Sequence, residues 1–226
     1  SGSLGLEPYL DFSSRMREVL TARGRDVLND FRAAAQRENL AAEDILDIGI
    51  VANQICERAK MADLVMIGHR GVNERFSTGL LGSTAESVTR KSPRPVFIST
   101  MPFREIRTIA LAYDGSERAS RAMRAAAECA VELDAPLTVA TVARDPKIGE
   151  RVLNEARTYL DGYSAKTRFQ LLSGHAHEEI IKFLKESGAD LLFIGAFGHN
   201  RIVEMVLGST TEYVLRNSPC PVFLSR

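Results

Sequence analysis

Two short segments carry residue types and spacings suited to chemistry. The first is Gly195-Ala-Phe-Gly198, followed nine residues later by Gly208-Ser209-Thr210. It comes after the apolar run at 191–194 and leads into a stretch of helical periodicity. Glycines let a backbone approach phosphate oxygens with no Cβ in the way, and a helix N-terminus presents unpaired N–H groups and a positive dipole to an anion. The same glycines also serve as turns, with Ser209 and Glu212, like Ser83 and Glu86, at the S-x-x-E spacing of a capping box, and both readings can hold together. The second segment is Asp114-Gly115-Ser116, at the end of another apolar run. A carboxylate there could accept from a ribose or base, or hold a divalent cation bridging to phosphates. Equally, Asp-Gly-Ser forms an Asx turn or caps the helix after it. Neither segment is a P-loop, because no Lys follows Gly208-Ser209. Nor is there a dinucleotide fingerprint, because no G-x-G-x-x-G follows the first strand.

Other reactive side chains are less organised. His69 and His199 fall in the glycine segments, and His199 or Arg201 beside a phosphate is the natural expectation for that loop. His175 and His177 form an H-x-H pair without a third ligand nearby, so no metal held by protein alone is expected. Cys56, Cys129 and Cys220 are odd in number, far apart and in apolar surroundings, which points to core packing and a reducing, cytoplasmic compartment. Glu74 and Glu204 do not occupy matching positions in the glycine segments, which weighs against efficient phosphoryl transfer.

The elements that must position these residues come in an internal repeat. Residues 63–99 and 190–225 coincide at Asp63/Asp190, Gly68/Gly195, Gly71/Gly198, Gly82/Gly208, Ser83/Ser209, Pro93/Pro219 and Pro95/Pro221, with one extra residue between Gly71 and Gly82. The match extends upstream to Gly49/Gly174 and Ile55/Ile180, so two copies of a domain are implied, at 1–103 and 104–226. The second copy reads as strand 107–112, helix 117–133, strand 137–143, helix 147–162, strand 167–172, helix 176–187, strand 191–195, helix 209–217 and a last strand at 221–225. Strands alternating with helices predict a doubly wound α/β domain with a mostly parallel sheet, whose ligand crevice lies outside the carboxyl ends of the strands. The first copy reads as a long amphipathic helix over 12–35, a weak strand at 45–48, helix 51–61, strand 64–67, helix 83–91 and strand 95–99. Its opening strand, first helix and second strand have no counterpart, so those elements are expected upstream in the gene product or from another chain. The proline-led apolar strands PRPVFIS and PCPVFLS are expected to pair, joining the copies about a pseudo-twofold axis.

Composition limits the partners. The chain of 226 residues is 45% hydrophobic, with 29 basic and 29 acidic residues and a formal charge of zero. Nucleic acid and anionic membranes are bound mainly by excess positive charge, so neither is an expected partner. No apolar run approaches the ~18 residues that span a bilayer.

Taken in order, LAYDGSE at 111–117, the G-x2-G-x9-G-[ST] pattern in Gly195, Gly198, Gly208 and Ser209, and Asn217-Ser-Pro-Cys-Pro-Val resemble the universal stress protein family. The resemblance covers 104–226 and most of 40–100, and it implies a tandem member with two domains of the adenine nucleotide alpha hydrolase-like kind, the first lacking its N-terminal elements. It implies ATP or AMP as ligand, with Mg²⁺ accompanying the nucleotide near Asp114. Asp114 and the backbone around Val142 would take the adenosine end, while Gly195, Gly198, His199, Gly208, Ser209 and Thr210 would surround ribose and phosphates. Gly68, Gly71, Gly82 and Ser83 would form a weaker second site, so one nucleotide per chain is expected. A stress-response regulator acting by nucleotide-dependent interaction is the leading expectation, with the two domains as an intramolecular pseudo-dimer and homodimerisation left open. A low-activity ATP hydrolase or transferase and a nucleotide-free interaction module are the alternatives.

Overall fold

The computed structural model describes residues 7–69, 82–196 and 208–225. The chain divides into two compact units, Ser1–Gly49 and Ile50–Arg226, so the division of contacts does not follow the repeat boundary at 103/104.

The first unit is built on α1 (Glu7–Arg37). It ends where Asn39 takes φ 54° and the Leu40 amide donates to Ala35 O. Arg32 then clamps the returning chain, its Nη2 lying 2.6 Å from Asp44 Oδ2 and its Nε donating to Oδ1 at 3.1 Å. That hydrogen bond holds the half-buried Asp44 carboxyl below its ordinary pKa and the guanidinium above its own. The amphipathic pattern correctly marks a helix, but Val19, Leu20, Val27 and Phe31 on its stripe are exposed. The strand expected at 45–48 does not form. Its repeat counterpart pairs only with the strand that the first copy lacks, and a short Ile-Leu-Asp-Ile segment without a ladder partner has nothing to satisfy its backbone as a strand.

The second unit is a seven-stranded sheet covered on both faces. Its elements in chain order are α2 (Val51–Ala59), β1 (Val65–Gly68), α3 (Ser83–Lys91), β2 (Val96–Ser99), β3 (Ile109–Ala112), α4 (Glu117–Glu132), β4 (Leu137–Val142), α5 (Pro146–Leu160), β5 (Thr167–Leu172), α6 (Ala176–Ser187), β6 (Leu191–Gly195), α7 (Ser209–Asn217) and β7 (Val222–Ser225). The strand order is β1-β2-β7-β6-β3-β4-β5, and every pair is parallel except β2 with β7. β3 and β6 are continuous apolar runs because helices cover both faces of the sheet there. On one face α2, α3, α6 and α7 contribute Ala52, Val88, Leu184 and Leu215 to the core; on the other α4 and α5 contribute Met123, Ala126, Leu153 and Ala156. The strand registers align Met66, Phe97, Phe223, Phe193, Leu111, Val139 and Phe169 in one row across the whole sheet.

The two proline-led strands pair as expected, Val96 with Leu224, Phe97 with Phe223 and Ile98 with Val222. In the repeat alignment Val96 corresponds to Val222 and Ile98 to Leu224, so Val96 faces the equivalent of Ile98, and Ile98 faces the equivalent of Val96. That reciprocity is the mark of a local twofold centred on the Phe97–Phe223 pair.

Candidate functional site at the strand ends

The carboxyl ends of β3, β4 and β6 converge on a cavity of about 240 Å³. Ala112, Ala140, Val142, Ile180 and Ile194 form its apolar wall, and Asp114, Ser209, Thr210 and Thr211 bring the polar groups. Each wall residue is set by ordinary packing. Ala112, Ala140 and Ile194 lie on the core face of the sheet, while Ile180 comes down from α6. The alanines leave room that larger strand residues would fill.

Asp114 sits in the turn between β3 and α4. Gly115 takes φ 78°, which only glycine adopts without strain, and the Ser116 amide donates to Asp114 Oδ1 at 3.0 Å. The Asx turn is therefore real. It uses one carboxylate oxygen and holds the exposed group at the cavity rim. Ser116 Oγ accepts from the Ala119 amide at 3.2 Å, capping α4. Behind the turn, the buried Thr141 hydroxyl donates to Tyr113 O at 2.8 Å and ties the end of β4 to the residue before Asp114.

The opposite end of the cavity is the N-terminus of α7. Gly208 is the N-cap, at φ −59° and ψ 144°, and makes no side-chain cap. The Glu212 amide is the first to find an intrahelical acceptor, Gly208 O at 2.9 Å, so the amides of Ser209, Thr210 and Thr211 precede the helical ladder. The capping-box reading is thereby corrected: Ser209 occupies the first helical position, not the cap, and Glu212 pairs with Arg216 at 2.6 Å instead of reaching back. Ser83 and Glu86 are corrected in the same way, with Gly82 as N-cap of α3 at φ −58°, ψ 140° and Glu86 on Arg90 at 2.7 Å. A backbone of this conformation suits any residue, so what Gly208 contributes at the cavity mouth is the lack of a side chain.

Gly195 has a further reason to be glycine. A Cβ there would stand 2.6 Å from Ala119 N and 2.8 Å from Arg118 C, so the end of β6 fits against the first turn of α4 only without one. Of the sequence candidates, Asp114, Val142, Gly195, Gly208, Ser209 and Thr210 are brought together at this cavity. Gly198, His199, Arg201 and Glu204, like Gly71 and Glu74, lie outside the described residues. Gly68 ends β1 and Gly82 begins α3, but the described first half holds no counterpart of β3 or β4 beside them. The lining residues that the sequence reading missed are Tyr113, Ala119, Ala176, Ile180, Ile194 and Thr211 among others. The signal for Ile180 was present in its pairing with Ile55.

The remaining reactive groups fall into packing roles. His177 meets Tyr213 edge-on at 4.7 Å, and among the described residues no three His, Cys, Asp or Glu form a metal-binding group. Cys56 and Cys220 are buried, and burial pushes the Cys220 and Cys129 thiols above their ordinary pKa, away from thiolate chemistry.

The model of the universal stress protein family matches residues 5–99 and 147–226. A universal stress protein of Synechocystis is 34% identical over 166 residues, covering 73% of this chain and 58% of that protein. A second, from Methanocaldococcus jannaschii, is 34% identical over 65 residues, which make up 29% of this chain and 40% of that protein. The chain thus spans about half the length of such relatives. Among solved structures, a universal stress protein of Archaeoglobus fulgidus superposes with a TM-score of 0.76 at 27% identity, covering 98% of this chain and 82% of that one. One from Pseudomonas aeruginosa, with a TM-score of 0.68 at 19% identity over 89% of this chain and 77% of its own, shares the fold.

Proposed function

The chain belongs to the universal stress protein family, and from that premise we propose that its second half binds one adenine nucleotide, ATP or AMP, and acts as a stress-response regulator through nucleotide-dependent interaction rather than turnover. The observation that carries this reading is the cavity itself, with an apolar wall at the strand ends, the α7 amides at one end and Asp114 at the rim. Val142, Ala140 and Ile180 suit a flat aromatic base, and Asp114 suits ribose hydroxyls. Gly208, Ser209 and Thr210 suit phosphate oxygens, with Gly195 ending β6 beside them and Gly198 and His199 completing the loop. Mg²⁺ arriving with the nucleotide would neutralise phosphate charge, and Asp114 is the carboxylate at the cavity that would meet it.

Binding is favoured over hydrolysis because no Lys follows Gly208-Ser209 and the acidic residues of the glycine segments, Glu74 and Glu204, do not occupy matching positions. The reciprocal β2–β7 register supports an intramolecular pseudo-dimer of domains 1–103 and 104–226, which gives a nucleotide a surface to regulate. The weaker site at Gly68, Gly71, Gly82 and Ser83 lacks the adenosine wall in this chain and would bind in the millimolar range. Extraction of freshly purified protein and chromatography of the extract, followed by incubation with ATP and Mg²⁺, tests the whole reading. Copurified or titratable nucleotide without steady ADP production supports it. Steady turnover would make the protein a hydrolase, and an empty, non-binding protein would leave the interaction module.

A further inference from the structure

One polar side chain outside the cavity joins the two halves of the sheet. His69 follows Gly68 at the end of β1. Its amide donates to Ser99 O at 2.9 Å, and its carbonyl accepts from the amide of Gly82, the N-cap of α3, at 3.0 Å. Its ring Nε2 lies 2.9 Å from Leu215 O, in the last turn of α7. A carbonyl only accepts, so Nε2 carries the proton in this contact. Leu215 O is one of the last four carbonyls of its helix, which have no intrahelical donor; its neighbour Val214 O takes the Ser218 amide at 2.8 Å. The contact runs one way, because the repeat places Ala196 opposite His69.

We propose that His69 is a positioning residue for the anion-binding end of the second-half site, coupling the first glycine segment to the affinity of the second for nucleotide phosphates. The proposal rests on the nucleotide reading given above. α7 is nine residues long, a rise of about 13 Å, and its buried Val214 and Leu215 make it move as one body. A donor fixed at its C-terminus holds the Ser209–Thr211 amides at the other end in place and reinforces the dipole whose positive end faces the cavity. Gly82, His69, Leu215 and α7 thus form an unbroken hydrogen-bonded path from one glycine segment to the other. By reciprocity, phosphates bound at α7 tighten the contact of His69 with Gly82.

Titration of the full chain with adenosine, AMP and ATP, in parent, His69→Ala and His69→Gln forms, separates positioning from general damage. His69→Ala is expected to weaken AMP and ATP by about 5- to 10-fold while changing adenosine less than about twofold. Gln, whose side-chain amide can donate at similar reach, is expected to restore most of the loss. Equal weakening of all three ligands, or none, overturns the coupling. Hydrogen exchange of the nucleotide-free chain provides the independent arm, with the α7 amides from Glu212 onward expected to exchange faster in the Ala form and at the parent rate in the Gln form. A parent chain that binds none of the three ligands overturns the nucleotide reading, whereas unchanged α7 protection in the Ala form overturns the positioning role.

Discussion

β6 and β1 both end in Ile-Gly and both lead towards a helix that starts on an N-cap glycine, with Gly208 and Gly82 within a few degrees of each other. Their surroundings differ. β6 lies between β3 and β7 with Phe193 buried, whereas β1 is an edge strand whose equivalent residue, Met66, is 68% exposed. The repeated motif therefore specifies a strand, a glycine and a helix start, but not a site. The cavity appears where β3 and β4 stand beside that motif and supply Asp114, Ala140 and Val142. The glycine-led helix start is local in sequence; the apolar wall of the cavity is not.

The strongest way to break this comparison is to fill the two N-caps separately. Gly208→Val is expected to weaken AMP or ATP by about 10- to 150-fold, because a branched side chain at the α7 cap displaces the anion from the amides. Gly82→Val should leave that affinity within about twofold. Isothermal titration of the parent should give a stoichiometry near one. Two equal sites, or a Gly208→Val protein that is folded and binds like the parent, would contradict the asymmetry.

The next contrast is stability at the preceding glycines. Gly195→Ala places a Cβ against the backbone of Arg118 and Ala119, and neither can move without shifting α4, so a loss of about 1–3 kcal/mol is expected in chemical denaturation. Gly68→Ala, at the exposed end of β1, should stay within about 0.5 kcal/mol.

These contrasts also separate what the sequence made legible from what it did not. The second-half elements were readable to within a residue or two, as with the helix expected at 117–133 and found at Glu117–Glu132, because periodicity and turn residues agree there. The antiparallel joining of the last strands was readable from two apolar edges led by proline. The strand at 45–48 was misread because strand propensity has no force without a ladder partner. The serines of Ser83 and Ser209 were misread as caps because the S-x-x-E spacing cannot tell the cap from the first helical position one residue on. Ile194, Ala119 and Thr211 were missed as lining residues because only tertiary packing brings them to one cavity. His69 was noticed as a histidine in a glycine segment, but its acceptor lies 146 residues away in sequence.

A smaller contrast lies between two helix starts within the second half. Ser116 caps α4, whereas Ser209 leaves the first amides of α7 open towards the cavity. Ser116→Ala is expected to cost about 1 kcal/mol of stability. Ser209→Ala should cost less than about 0.5 kcal/mol yet weaken AMP severalfold, since on the proposed nucleotide reading its position is one of ligand contact rather than capping. Paired denaturation and titration of the two variants would contradict this division if Ser209→Ala were the more destabilising.

The smallest expected effect falls where the halves are alike. Glu86–Arg90 on α3 and Glu212–Arg216 on α7 are the same i, i+4 pair, at 2.7 and 2.6 Å, with side chains about one-third exposed in both. Each has the favoured order, Glu before Arg, so the acid lies nearer the helix N-terminus and the base nearer the C-terminus. Partial exposure screens the attraction, and holding two long side chains in one geometry costs entropy, so each pair contributes about 0.3–0.5 kcal/mol. Glu86→Gln and Glu212→Gln should therefore lower stability by nearly equal amounts, and raising the salt concentration of the parent should shrink both differences together. Arg216 complicates the match, because its Nε is buried without an acceptor among the described residues. Loss of Glu212 removes the carboxylate that anchors this guanidinium, so any inequality should make Glu212→Gln the costlier change. Denaturation curves in which Glu86→Gln is costlier by more than about 0.5 kcal/mol would mean that α3 and α7 are held by different forces despite their shared sequence.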